Sequence, residues 1–320
     1  MMEEKGSAYT GGVIAVREKK LLRDKIVRLC GMSAEEALRT LSESGFGGGD
    51  TSLSPEELVL ADEREIDEFI REYAPSRRVK EYLLAPRDFH NAKALVKARH
   101  LNTDAAPLLG SVGTYSVEEL ARAVDSGDTA ALPKELQEAI KSALALLEEE
   151  NPSGADAGFL FDSALYGYLN RVLGRGVCKR LLARRADMTN LLTAFRAPSL
   201  EEAEKYFVCG GALDKKQLSK AFGETEQVKK SFEKTDYAAF VDTLCAARDN
   251  KKPFTEAERE KESFELGYFS KRPYELSGQG TFLYYIFRRR AENENVRVVL
   301  VCLSAGLKEG EIVKRLRGVK

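Results

Sequence analysis

The sequence predicts an all-α chain built as a funnel-like bundle of three similar helical units, and three observations lead there. Ser or Thr stands three residues ahead of Glu at five places, apolar residues recur at helical spacing, and an acidic-x-x-Asn core returns three times. Strand signals are poor by comparison, with no Asn-Gly or Asp-Gly hairpin turn and little apolar/polar alternation.

The first unit is taken as residues 1–105. Ser33 with Glu36 and Ser54 with Glu57 fit the capping box, in which the hydroxyl takes an orphan amide of the first turn and the carboxylate reaches back. Pro55, directly after Ser54, suits a first helical position because its missing N–H costs nothing there. The second unit, 106–215, starts helices at Ser116 with Glu119 and at Ser199 with Glu202. Between them Leu136, Ile140, Ala143, Leu144 and Leu147 keep to one helical face. The third unit, 216–320, has its box at Thr255 with Glu258. Its run Val296 to Leu303 is rich in β-branched residues and reads as a buried strand in isolation. The repeat makes it a helix instead.

That repeat consists of Asp88-Phe-His-Asn91, Asp187-Met-Thr-Asn190 and Glu292-Asn-Glu-Asn295, with the asparagines 99 and then 105 residues apart. Apolar pairs precede each core in register: Tyr82-Leu83, Leu181-Leu182 and Ile286-Phe287. Gly113 and Gly211 follow the first two acidic residues by 25 and 24 positions, and the third copy ends its run at Gly306. Threefold recurrence argues for a packing rule over acid–base chemistry, since one active site needs one constellation. Each Asn is therefore expected to hydrogen-bond neighbouring backbone. The alternative is that the three line a common ligand cavity.

Composition narrows the function classes. Basic and acidic residues number 50 and 51, and a net charge of -1 lacks the basic excess that phosphate binding requires, so nucleic acid is not the expected partner. The apolar stretch Val298 to Leu307 is about half of what crosses a bilayer, and the first twenty residues hold no apolar signal core. Five widely spaced cysteines without a C-x-x-C pair read as reduced thiols of a cytosolic protein.

Catalytic constellations are scarce. The two histidines, His90 and His100, are ten residues apart, about 1,000° of helical rotation, which puts them on different faces. A surface or capping role is expected for each. The glycine clusters Gly45-Phe-Gly-Gly-Gly49 and Gly278-Gln-Gly280 match neither phosphate-cradling fingerprint, so they read as connections. Arg288, Arg289 and Arg290, and at the other cluster Lys314, Arg315, Arg317 and Lys320, are either solvated faces or partner contacts. Guanidinium groups suit protein interfaces through forked pairing with carboxylates. No catalytic, cofactor-binding or metal-binding residue is assigned.

A family resemblance joins these features. Tyr9 leads into Val13-Ile14-Ala15-Val16-Arg17-Glu18 and Leu21-Leu22. The cores at Asp88/Asn91 and Asp187/Asn190 follow, and the chain ends on Arg290-Ala-Glu-Asn-Glu-Asn295-Val-Arg297, Gly306-Leu307 and Glu311-Ile312-Val313-Lys314-Arg315-Leu316-Arg317. Together they resemble the C subunit of prokaryotic V-type/A-type ATPases, whose eukaryotic counterpart is the d subunit, over nearly the whole chain. The resemblance implies a non-catalytic funnel of three helical units without nucleotide or metal. It would lie between the soluble shaft, made of D- and F-type subunits, and the membrane proteolipid ring, where it carries torque for proton or sodium transport. Such a protein is cytoplasmic and peripheral to the membrane. A helical scaffold outside any rotary machine is the alternative.

Overall fold

The computed structural model describes residues 7–22 and 25–317. Among them the chain forms sixteen α-helices linked by loops and short 3-10 turns, with no strand. In order these are α1 (Ser7–Arg17), α2 (Lys25–Leu29), α3 (Ala34–Glu43), α4 (Pro55–Tyr73), α5 (Arg77–Leu101), α6 (Val117–Ser126), α7 (Lys134–Leu147) and α8 (Gly154–Val172). They continue with α9 (Val177–Arg196), α10 (Leu200–Glu204), α11 (Lys215–Leu218), α12 (Thr225–Phe232), α13 (Ala238–Asp249), α14 (Thr255–Lys271), α15 (Gln279–Ser304) and α16 (Glu309–Val313).

The helix starts follow local chemistry. At α3, α4 and α6 the boxes close in both directions, as where Glu57 N–H donates to Ser54 Oγ at 3.3 Å and Ser54 N–H to Glu57 Oε2 at 2.9 Å. Ser199 caps α10 by accepting from the Glu202 amide. Thr255 differs from expectation: it is already the first helical residue of α14, because Glu258 N–H donates to the carbonyl of Phe254. Phe254 is held at that position by its ring, 6.4 Å from Phe195 and under the Arg196 guanidinium. The β-branched run Val296 to Leu303 lies within α15, where Val296, Val299 and Leu300 are buried. Tertiary burial overrides strand propensity there.

The chain forms two compact units, Met1–Leu83 with Ser263–Lys320, and Leu84–Glu262. That grouping follows contacts; the intervals 1–105, 106–215 and 216–320 follow sequence similarity. In the first unit the core joins the two ends of the chain, with Leu22, Ile26, Leu41 and Leu58 packed among Val296, Val299, Leu300 and Ile312. A turn of 3-10 helix, Phe46–Gly49, presses on α4 so closely that a side chain at Gly47 would meet the Leu58 carbonyl at 2.6 Å. Gly47 also has φ +60°, so only glycine fits. In the second unit α7 packs along α8, and α12 along α13. Leu120, Ile140, Phe161, Leu181, Val228 and Leu244 are all buried there.

Candidate functional site

The acidic-x-x-Asn cores lie one on each of α5, α9 and α15, and each reaches backbone 18 to 27 residues further along the chain. On α5, Asp88 accepts from the amides of Thr114 (2.8 Å) and Tyr115 (3.0 Å). Asn91 accepts from Gly110 N–H (2.8 Å) and donates to Ser111 C=O (3.3 Å). On α9, Asp187 accepts from the amides of Ala212 (3.1 Å) and Leu213 (2.9 Å). Asn190 grips both backbone groups of one residue, accepting from Val208 N–H at 2.8 Å and donating to Val208 C=O at 2.9 Å. Asn295 on α15 does the same to Arg317, at 2.8 and 2.9 Å. A carboxamide held this way imitates a strand partner, with its oxygen and NH2 matching one residue's N–H and C=O.

Glycine makes room for two of these grips. A side-chain carbon at Gly113 would collide with the Asp88 carboxylate, and one at Gly211 with that of Asp187. Asp187 carries a third partner, the Tyr237 hydroxyl. Burial and this carboxylate raise the Tyr237 phenol well above its ordinary pKa. Arg184 completes the corner, 5.1 Å above the Tyr237 ring and bonded to the Asp236 carboxylate (2.9 Å) and carbonyl (2.6 Å).

The arginine run on α15 turns into the first unit. Arg289 meets the fully buried Asp62 of α4 at 2.6 Å and lies 3.9 Å from Glu292. Arg288 pairs with Glu18 at 3.4 Å, and Arg290 donates to the Leu83 carbonyl at 3.0 Å and approaches Asp67 at 3.9 Å. Burial pushes the Asp62 carboxyl upward, with Arg289 pulling against it. Burial works against the Arg289 charge too, yet Asp62 and its neighbours hold that pKa above the ordinary value. Asn293 adds donors to the Val59 carbonyl (2.9 Å) and to Asp62 (3.1 Å). Chemically, these groups hold backbone and each other; none is set as a nucleophile beside a base.

With that geometry in place, the comparison with known families is decisive: the model for the ATP synthase (C/AC39) subunit matches residues 11–315. The chain belongs to the ATP synthase (C/AC39) subunit family. It is thereby a subunit of a V/A-type ATPase, corresponding to the C subunit of prokaryotes and the d subunit of eukaryotes. No curated protein matches the sequence.

The remaining sequence candidates take these places in the C/AC39 chain. His90 and His100 are both exposed on α5, and a His90 ring nitrogen lies 3.1 Å from the Leu108 carbonyl. Gly278 has φ +56° just ahead of α15, where Gly280 sits tight against the Glu275 carbonyl. Lys314 and Arg315 are exposed and Arg317 is half-buried, while Lys320 lies outside the described residues. Among the described residues no group of three or more His, Cys, Asp or Glu is arranged to hold a metal ion, and no helix is long and apolar enough to cross a membrane.

Sequence reasoning missed Asp62, Asp67 and Asn293. A signal for the first existed: Asp62 stands midway between Leu58 and Ile66 at spacing four, which places a carboxylate on the apolar stripe of α4. The doubled asparagine of Glu292-Asn-Glu-Asn295 marked the last.

Proposed function

We propose that this chain is the non-catalytic central-stalk subunit of its ATPase. It would join the D- and F-type shaft subunits to the membrane proteolipid ring and transmit torque for proton or sodium transport coupled to ATP hydrolysis or synthesis. The observation that carries the reading is the family match across residues 11–315. In support, the polar groups of the repeated cores are engaged with their own backbone, as a mechanical part requires. Close-packed helices transmit strain instead of absorbing it. The three intervals 1–105, 106–215 and 216–320 are proposed as repeated units of a funnel, held at the cytoplasmic face through the complex.

A connector needs two contact surfaces, each of roughly standard size, ~1,600 Å² in total, because smaller contacts are transient. Among the basic residues proposed for such contacts, Lys314 and Arg315 are the exposed ones, whereas Arg288, Arg289 and Arg290 hold intramolecular partners. Reconstitution with and without the chain tests the role, with ATP hydrolysis and ion uptake measured on one preparation. Omission should leave hydrolysis by the detached soluble sector and abolish the uptake it drives. Full ATP-driven transport in vesicles lacking the chain would defeat the proposal.

A further inference from the structure

One end of the first unit is basic and carries two exposed tyrosines. The turn from α4 to α5 meets the turn from α14 to α15 there, joined by Gln279 Nε2 donating to Ser76 Oγ at 3.0 Å. Tyr9 of α1 reaches the same end, its ring 6.3 Å from that of Tyr73, the last residue of α4. Arg71, Arg77, Arg78, Lys80, Lys271 and Arg272 stand on the two turns and their flanking helix ends, and none of the six is buried. The carboxylates alongside are Glu72, Glu81 and Glu275. Glu81 pairs with Arg77 at 3.3 Å, and Glu275 accepts from the Tyr268 hydroxyl at 2.9 Å. Six cations against three anions leave an excess of three positive charges, in a chain whose net charge is -1.

The helices do not need that excess. α5 opens on Arg77 and Arg78 with no acidic residue in its first turn, so both cations oppose the positive end of the helix dipole. α3, α4 and α6 each place two glutamates in the first turn instead. In the second unit the turn that leads into α9 repeats the pattern, carrying Arg171, Arg175, Lys179 and Arg180 with no carboxylate between them. Positive charge thus recurs at equivalent turns of the repeat, against the preference of the helices it flanks. That points to an anionic partner outside the chain.

We propose that this end of the first unit rests on anionic phospholipid headgroups, with Lys80, Lys271 and the neighbouring arginines against the lipid charges and Tyr274 in the headgroup layer. The inference rests on the reading of the chain as a stalk subunit held at a membrane. Tyr9 is 56% and Tyr274 74% exposed. A phenol set among basic side chains suits the boundary of a bilayer, where the ring enters the headgroup layer, its hydroxyl stays wet and the cations meet lipid phosphate. Helix-turn tips are convex, and mobile headgroups fit a convex basic surface without the shape complementarity that a protein partner needs.

The test is co-sedimentation of the free, full-length chain with phosphatidylcholine vesicles made with and without phosphatidylserine. Binding is expected where phosphatidylserine is present, and it should weaken as salt is added because the attraction acts between charges. Each Lys or Arg near such a surface strengthens binding about fivefold, so Lys80→Gln with Lys271→Gln should weaken it about 25-fold. Tyr274→Ala should weaken it by a factor that salt leaves unchanged, since that contact is apolar. Lys216→Gln with Lys220→Gln, which removes two exposed lysines of the second unit, should bind as wild type does. Each variant is used with its circular dichroism spectrum and melting temperature matched to wild type. Equal binding to vesicles without phosphatidylserine, or binding to neither, overturns the proposal. So does undiminished binding of the Lys80 and Lys271 double variant, or an equal loss from the second-unit pair. If the free chain ignores vesicles while the Lys80 and Lys271 double variant enters the assembled ATPase poorly, the end belongs to an acidic face of another subunit and the lipid proposal falls. Failure of the wild-type chain to restore ATP-driven ion uptake on reconstitution would instead remove the stalk reading, with the vesicle result decided separately.

Discussion

Replacing Asn190 with Leu should destabilise the second unit more than the same change at Asn91 or Asn295 destabilises its surroundings. Leu keeps the branched shape of Asn and is bulkier, so no cavity opens and the loss common to all three sites is polar. At Asn190 it strands both the N–H and the C=O of Val208, which is only 5% exposed. Each buried orphan costs about 1–3 kcal/mol, so the pair costs about 2–6 kcal/mol. The unit spans residues 84–262, a size at which 1 kcal/mol moves the melting temperature by roughly 2–4 °C. A fall of at least about 4 °C follows. The partners of Asn91 are Gly110, exposed, and Ser111, half-buried, and that of Asn295 is Arg317, also half-buried. Water can replace the lost amide there, leaving about 0.5–1.5 kcal/mol. Calorimetry on the three variants gives the ranking directly. A shift for Asn190→Leu no larger than for Asn91→Leu would refute the reasoning from burial. Loss of a ligand with stability unchanged in all three would show that they line a cavity.

Two further outcomes follow from the buried charges. Arg289→Met should cost about 3–5 kcal/mol in denaturant unfolding, because it leaves the fully buried Asp62 without its cation. The pKa of Tyr237 is raised by folding, so its contribution is fully present below the ordinary phenol value of 10.0 and is lost as pH climbs from there toward the folded value. Tyr237→Phe should cost about 1.5–3 kcal/mol at neutral pH, through the hydrogen bond lost by buried Asp187, and should flatten the fall in stability above pH 10.

Local chemistry was the legible part of this chain. The boxes at Ser33, Ser54 and Ser116 depend on four consecutive residues, and nothing distant competes with them. At Thr255 something distant does: the Phe254 ring packs near Phe195, 59 residues away in the chain, and the helix starts one position earlier. The interval between asparagines pointed to three equivalent positions, but the identity of their partners depends on how each loop returns to its helix. Arg288, Arg289 and Arg290 show the same limit. Three adjacent arginines read as surface because a charge belongs in water unless it is paired. Their partners Glu18, Asp62 and Asp67 lie more than 200 residues away, where sequence spacing carries no information.

Those distant pairs say something about what the first unit resists. Arg288–Glu18, Arg289–Asp62, Asn293–Val59 and Arg297–Glu63 all tie α15 to the beginning of the chain, and three of the four join it to α4. An apolar seam alone would tolerate sliding by one helical turn, about 5.4 Å, because one aliphatic ridge resembles the next. With Asp62 and Arg289 inside, sliding separates two buried charges at once. The net contribution of such a pair to stability is small, since desolvation offsets attraction, so its effect is on register. A subunit proposed to carry torque needs that resistance to shear more than it needs added stability. The double replacement Asp62→Leu with Arg289→Met separates the two quantities. It should recover most of the stability lost by Arg289→Met alone, while ATP-driven ion uptake in the reconstituted complex stays below wild type. Full recovery of both would reduce the pair to packing.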